Sequence, residues 1–327
     1  MIQYKTSEKT AAGIILASAS VLIWGITFVS TKYLLESFSA LEILILRFIA
    51  AYIGLWIMSP HILQLEKKSQ ELLFVAAGLC GVTVYQFMEN VAISFTSASN
   101  VSIIVSICPF FTAVIAQIFL HEKHLSIRFV VGFIVAILGV ALVSLNGAVV
   151  FHLNPKGDFL ALAAAVSWGF YSLFVSKINA LGIPTIQATR RMFFWAIVCM
   201  IPIAVFGYAV HGGNSASAAV SANAGLNQTA VILDAAVNKM RFANLFNWVN
   251  LLFLGLGASA FCFVAWNKAC SLLGTVRATI GIYLIPVVTV VFAFFALGEK
   301  ITIMGICGAL LTIFGLVLSE WKNDNNR

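Results

Sequence analysis

Residues 12–35 read AGIILASASVLIWGITFVSTKYLL, and residues 158–178 read DFLALAAAVSWGFYSLFVSKI. At about 1.5 Å of rise per residue, an apolar helix of roughly 20 residues crosses a hydrocarbon core of about 30 Å. Both runs carry a Trp-Gly pair near the middle, Trp24-Gly25 and Trp168-Gly169, 144 positions apart. A spanning segment that recurs with its central pair intact points to a membrane protein built from two related halves.

Outward from these two runs, further apolar stretches lie at 41–58, 72–95, 98–120, 127–145, 185–210, 245–270, 275–297 and 302–320. The expected fold is an all-α integral membrane protein with ten transmembrane helices. Composition agrees: of 327 residues 61% are apolar and 9% charged, with mean hydropathy +1.01, where soluble domains run near about 25% charged. The first run is too long for a signal peptide, has no small-residue cleavage site and is followed by more spans. All six cysteines fall inside apolar stretches with no CxxC pair, so they read as small buried hydrophobes.

The net charge of +7 does not point to nucleic acid, because the basic residues are scattered at helix ends. Ten spans put the N-terminus on the side of Lys5, Lys9, Lys67, Lys68, Lys123, Arg128, Lys177, Lys268, Arg277, Lys322 and Arg327, eleven in all; Lys32, Lys156, Lys239, Arg241 and Lys300 make five on the other. Basic excess marks the cytoplasmic face, so both termini are expected inside the plasma (inner) membrane.

The repeat extends beyond the Trp-Gly pairs. Arg47 recurs as Arg191 at the 144 offset, while Asn90 with Asn267, Pro109 with Pro286, and Glu122-Lys123 with Glu299-Lys300 are 177 apart. The extra 33 residues correspond to 211–243, rich in Ala, Ser, Asn and Gly, which reads as an outer-face insertion, either a flexible loop dispensable for transport or one with a short surface helix over Thr229 to Phe242. The expected layout is one five-helix unit at 1–146, a linker at 147–157 and a second unit at 158–327. Because five is odd, the second unit enters the membrane inverted. Exchange of conformation between inverted halves is the basis of alternating access, which favours transport over a channel, receptor or enzyme.

Polar residues inside the spans are the candidate site. Pro109 and Pro286 each free a carbonyl four residues earlier, of Val105 and Ile282, and kink the helix, either as structure alone or to shape a cavity. Trp24 and Trp168 are mid-span, although tryptophan favours the interface; they pack in the core or face a cavity suited to apolar, aromatic or cationic molecules. Arg47 and Arg191 lie six residues inside their spans, close enough to snorkel as anchors, or else they hold an anionic group or form contacts at two gates. Glu89 lies well inside an apolar run beside Asn90, with Tyr85 one turn earlier on its face. It carries a proton, holds an ammonium group, pairs with an arginine or reaches water. Tyr283 near Pro286 and Asn267, the repeat mate of Asn90, complete the expected cavity. Gly132 and Gly139, matched by Gly308 and Gly315, form smooth faces for helix packing. His121-Glu122-Lys123-His124 is a charged helix boundary with no histidine in its repeat mate, so no metal is expected. No cofactor is expected, and no GxxxxGK[ST] occurs for nucleotide.

These residues resemble the drug/metabolite transporter superfamily, in its ten-helix EamA-like branch. The resemblance covers almost the whole chain and rests on the two Trp-Gly pairs, on Thr96-Ser97-Ala98-Ser99-Asn100 leading to Pro109, and on Pro286 leading to Gly298-Glu299. It implies a central cavity lined by the first, third, fourth, sixth, eighth and ninth spans, with the fifth and tenth packed together. It also implies export or exchange of small metabolites, among which amino acids, nucleotide sugars, sugar phosphates and toxic cations occur in relatives. The insertion is not typical of that branch.

The expected function is a secondary exporter of amino acids or related amphipathic or cationic metabolites, with a small-molecule substrate and the lipid bilayer as its partners and a monomer as one acceptable state. The alternatives are a nucleotide-sugar or sugar-phosphate antiporter and an integral membrane enzyme acting on lipid-linked substrates. Such an enzyme needs carboxylates or histidines clustered at one interface, and Glu89 stands alone in its span. No residue is expected to be catalytic.

Overall fold

The computed structural model describes residues 2–95, 98–121, 125–145, 154–221, 240–297 and 302–320. Among these, every regular element is helical: α1 (Ile2–Leu34), α2 (Ala40–Met58), α3 (Lys68–Phe95), α4 in two pieces (Ala98–Val105 and Cys108–Phe119), α5 (Ile127–Leu145), α6 (Pro155–Asn179), α7 (Thr185–Ser221), α8 (Leu245–Leu273), α9 (275–297) and α10 (Ile303–Glu320). Eight of them are long and apolar enough to cross a membrane, and Ile127–Val143 and Ile303–Ser319 are shorter apolar helices. Large apolar side chains such as Ile57, Phe295 and Ile303 project from the outer rim almost fully exposed. That surface is costly in water and suited to lipid.

Local chemistry sets the helix ends. Ser39 caps α2 in a reciprocal box: the Ser39 N–H donates to Glu42 at 2.8 Å, and the Glu42 N–H donates to Ser39 Oγ at 3.2 Å. Asn154 caps α6, accepting from the Gly157 N–H at 3.3 Å, and Pro155 follows where its missing N–H costs nothing. The same Asn154 donates to the Phe95 carbonyl at 2.9 Å, tying the start of α6 to the end of α3. Between α8 and α9 the chain turns at Gly274, whose φ of 87° favours glycine.

Two helices widen into π geometry, α3 at Gly78–Val84 and α8 at Phe253–Phe261. Shifted by 177, residues 78–84 fall on 255–261, so the widenings coincide as they would in related halves. The π segment of α8 presses against α2, and that of α3 against α7. A Cβ on Gly255 would lie 3.0 Å from the Arg47 carbonyl of α2, and one on Gly78 would overlap the Met192 carbonyl of α7. Helical stretches of π geometry are rare and concentrate at functional sites.

Pro109 starts a helix after a break, whereas Pro286 lies inside the continuous run 275–297. Pro109 sits in the first turn of Cys108–Phe119 after a break at Ser106-Ile107, and Pro286 follows the 3₁₀ turn Gly281–Leu284. The Ile285 N–H bonds the Ile282 carbonyl that Pro286 cannot serve. First-turn N–H groups have no partner within their own helix, so proline is tolerated there; at Pro109 a break replaces the kink, while at Pro286 the helix tightens into the 3₁₀ turn and runs on.

The matched glycines lie between α5 and α10. A Cβ built on Gly139 falls 2.6 Å from Thr312 Oγ1 and 2.7 Å from the Gly308 carbonyl; on Gly132 it falls 2.5 Å from the Ser319 nitrogen, on Gly308 2.5 Å from the Val143 nitrogen, and on Gly315 2.7 Å from the Gly132 carbonyl. Backbone meets backbone along this seam. Of the stretch 211–243, residues 211–221 continue α7 as helix and 222–239 lie outside the described residues, as do parts of the 147–157 linker.

Candidate functional site

Aromatic rings from α1, α3, α6 and α8 meet at the centre. The Trp24 and Trp168 rings are 5.6 Å apart at 89°, Trp24 lies 5.0 Å from Trp266, and Trp168 lies 4.9 Å from Tyr85 and 5.0 Å from Tyr171. Edge-to-face and tilted pairs at these distances suit the ring quadrupoles. The two tryptophans found from the repeat are thus in contact, and both line one cavity with Thr27, Phe28, Arg47, Tyr85, Gln86, Glu89, Ile282 and Ile285.

Its polar wall comes from α2 and α3. Arg47 is 2% exposed, so it does not snorkel. Its Nε donates to Ser259 Oγ and its Nη1 to Gln86 Oε1, both at 3.0 Å. Ser259 belongs to the π segment of α8, so Arg47 holds α2, α3 and α8 together at the cavity's edge. Glu89 is buried on the same wall, within hydrogen-bonding reach of the Tyr85 hydroxyl one turn earlier. Opposite charges and aromatic faces therefore share one small space. Its volume of about 20 Å³ leaves room for little more than a water, which needs about 10–15 Å³.

Other residues singled out by type lie off this wall. Asn90 is buried and donates to the Ala40 carbonyl at 3.3 Å, tying α3 to α2. Asn267 accepts from the Tyr171 hydroxyl at 2.8 Å and donates to Thr189 Oγ1 at 3.0 Å, joining α6, α7 and α8. Tyr283 is fully buried and packs toward Phe133 of α5, while its neighbours Ile282 and Ile285 reach the cavity. Gln86, Thr27 and Ser259 carry site contacts that residue type alone did not flag. Gln86 had a signal, being an amide inside the apolar span, beside Tyr85 and three residues before Glu89. Thr96-Ser97, Glu122-Lys123-His124 and Gly298-Glu299-Lys300 lie outside the described residues.

Arg191 does not share the environment of Arg47. It stands half-buried at the α2–α3 end, where its Nε donates to Glu71 Oε1 at 2.8 Å and its Nη1 to the Leu63 carbonyl at 2.9 Å. Trp195 Nε1 also donates to Glu71, and Arg190 donates to the Ser59 and His61 carbonyls while its guanidinium lies 4.1 Å from the Trp56 ring centroid. At the opposite end of α2, Arg241 pairs with Glu42 at 2.9 Å and sits 5.0 Å from the Phe38 and Phe242 ring centroids. The end of the 211–243 stretch is therefore not a loose loop. It is latched to the start of α2.

Among the described residues no group of three or more His, Cys, Asp or Glu gathers as a metal site. A solved crystal structure superposes with a TM-score of 0.66 over 96% of each chain at 15% identity, which shows a shared fold. The chain is 24% identical over 94% of its length to an uncharacterized transporter of Archaeoglobus fulgidus, covering 97% of that protein. It is 25% identical to a probable terminal-alkyne amino-acid exporter of Streptantibioticus cattleyicolor, over 94% of this chain and 93% of the other. It is 26% identical to a probable amino-acid metabolite efflux pump of Salmonella typhimurium, over 93% of each. The EamA-like transporter family matches residues 11–145 and 225–321. With its apolar helices and its buried aromatic and charged centre, the chain is a multi-pass membrane transporter, not an enzyme, and belongs to the EamA-like transporter family.

Proposed function

We propose that this transporter exports small amphipathic metabolites, amino acids first among them, by alternating access between two inverted five-helix halves that make ten spans in all. The observation that carries the proposal is the placement of Arg47 and Glu89 on one buried wall with the Trp24 and Trp168 indoles. A zwitterion matches this wall, its ammonium facing Glu89, its carboxylate on the side of Arg47 and its side chain against the rings. The names of the Streptantibioticus and Salmonella relatives support amino acids as cargo.

A space of about 20 Å³ is too small for an amino acid, so binding requires one end to open. Two clamps stand where opening would occur, Arg191–Glu71 at the α2–α3 end and Arg241–Glu42 at the α1–α2 end. A wider pocket of about 250 Å³ between Tyr52, Trp56, Gln187 and Phe194 adjoins the first clamp and serves as a vestibule. The basic-residue bias assigns that end and both termini to the cytoplasm. Partly exposed ion pairs are worth about 0.2–1 kcal/mol each, weak enough to break once per cycle.

A thermal-unfolding screen in detergent against amino acids and amines tests the cargo. An amino acid at about 100 times its Kd stabilises the folded protein by roughly 2.7 kcal/mol and raises its unfolding temperature. Glu89→Gln is expected to lose that shift for ligands bearing an ammonium group. A full shift in Glu89→Gln would place the binding site elsewhere.

A further inference from the structure

The two indoles at matching repeat positions are used differently. Trp24 Nε1 donates to the Ala258 carbonyl at 3.0 Å, inside the π segment of α8. The repeat mate of Ala258, 177 residues earlier, is Gly81 in the π segment of α3, so the same bond would join Trp168 to Gly81. It does not form. Trp168 is 2% exposed, and its Nε1 is buried with no hydrogen-bond partner among the described residues.

The cause lies one turn along each helix. Thr27 in α1 corresponds to Tyr171 in α6, 144 residues later. Thr27 is small and folds its hydroxyl back onto the Trp24 carbonyl at 2.7 Å. The Tyr171 ring lies so close to Gly81 that a Cβ there would overlap it, and Asn267 holds its hydroxyl at 2.8 Å. That ring takes the space Trp168 would need to reach the π-segment carbonyl. One Thr-to-Tyr difference between the halves thus leaves an indole donor unspent.

Buried donors nearly always find an acceptor, because leaving one dry forfeits its hydration. On the cavity wall Trp24 is committed to Ala258, Thr27 to its own helix, and two of the three Arg47 guanidinium nitrogens, Nε and Nη1, to Ser259 and Gln86. We propose that Trp168 Nε1 is the specificity donor of the cavity, reserved for a carboxylate or carbonyl oxygen on the transported molecule, while Trp24 is a fixed strut between α1 and α8. This rests on the central-cavity reading above and adds the atom that selects ligands with an acceptor. An N–H directed at the Trp24 ring is the competing use; it would make the Trp168 N–H structural.

The test replaces each tryptophan in the full chain with 3-benzothienylalanine, which keeps the bicyclic shape but carries sulfur in place of N–H. Unfolding temperature without ligand is measured in detergent, together with binding of L-phenylalanine, L-leucine and phenethylamine. The Trp168 variant is expected to unfold at the wild-type temperature and to bind both amino acids about five- to tenfold more weakly, the worth of one hydrogen bond. Phenethylamine, which has no carboxylate, binds it and the wild type alike. The Trp24 variant unfolds at a lower temperature. Unchanged amino-acid affinity in the Trp168 variant overturns the inference, as does an equal loss for phenethylamine or a ligand-free destabilisation matching that of the Trp24 variant. Wild-type protein that binds none of the three probes overturns the central-cavity reading itself, a result read without any variant.

Discussion

Arg47→Ala protein is expected to be about 3–5 kcal/mol less stable than wild type, the usual result of removing one member of a buried charged network. Arg47 is buried in a helix-dense region and supplies donors to Gln86 and Ser259 at 3.0 Å each. Its loss leaves the Gln86 acceptor unpaired and leaves Glu89 without the cation that faces it across the wall. Three helices lose one common tie. Arg47→Lys keeps the charge but not the fork, because an ammonium cannot reproduce the separate Nε and Nη1 directions, so it should fall between the two. Thermal unfolding monitored by size-exclusion fluorescence decides the point. An Arg47→Ala protein that unfolds at the wild-type temperature would mean that Arg47 is a dispensable anchor.

Gly139→Leu is expected to be the second severe change, destabilising by about 1–3 kcal/mol or more through overpacking. Even the Cβ would stand 2.6 Å from Thr312 Oγ1 and 2.7 Å from the Gly308 carbonyl, and main-chain atoms cannot rotate away. The α5–α10 seam must then part. Gly257→Ala is the control, since the nearest atom to its added carbon is Phe253 Cδ2 at 3.5 Å, an ordinary contact. It should be tolerated. Equal unfolding temperatures for Gly139→Leu and the wild type would show that α5 and α10 do not meet through these glycines.

How much of this was legible in the sequence follows from where the signals live. Apolar run length reports the solvent of each segment, so the run at 127–145 coincides with its helix, whereas α1 starts at Ile2, before the run that begins at 12, and α7 runs on to Ser221, past the run that ends at 210. The Trp24 and Trp168 repeat named two residues whose rings meet at 5.6 Å, and the Tyr85–Glu89 pair, one turn apart, lies on the cavity wall as its spacing implied. That pair lies wholly beyond the π segment of α3. Counting across Gly78–Val84 or Phe253–Phe261 loses the helical phase, which hid Ser259 as the partner of Arg47, 212 residues away. Depth in a span was also a poor guide, for Arg47 and Arg191 sit equally far into their apolar runs yet one is buried and the other is 29% exposed at a clamp. Asn267 and Tyr283 were chosen for polarity, but packing gave Asn267 to Tyr171 and Thr189 and turned Tyr283 toward α5.

The most direct test of the central claim is counterflow in proteoliposomes loaded with unlabelled L-phenylalanine and diluted into a trace of the radiolabelled amino acid. Wild-type protein should accumulate label transiently, because exchange through a binding site needs no external energy, and Glu89→Gln, altered on the cavity wall, should accumulate little. Counterflow by Glu89→Gln at the wild-type rate would contradict a transport site built on Arg47, Glu89, Trp24 and Trp168.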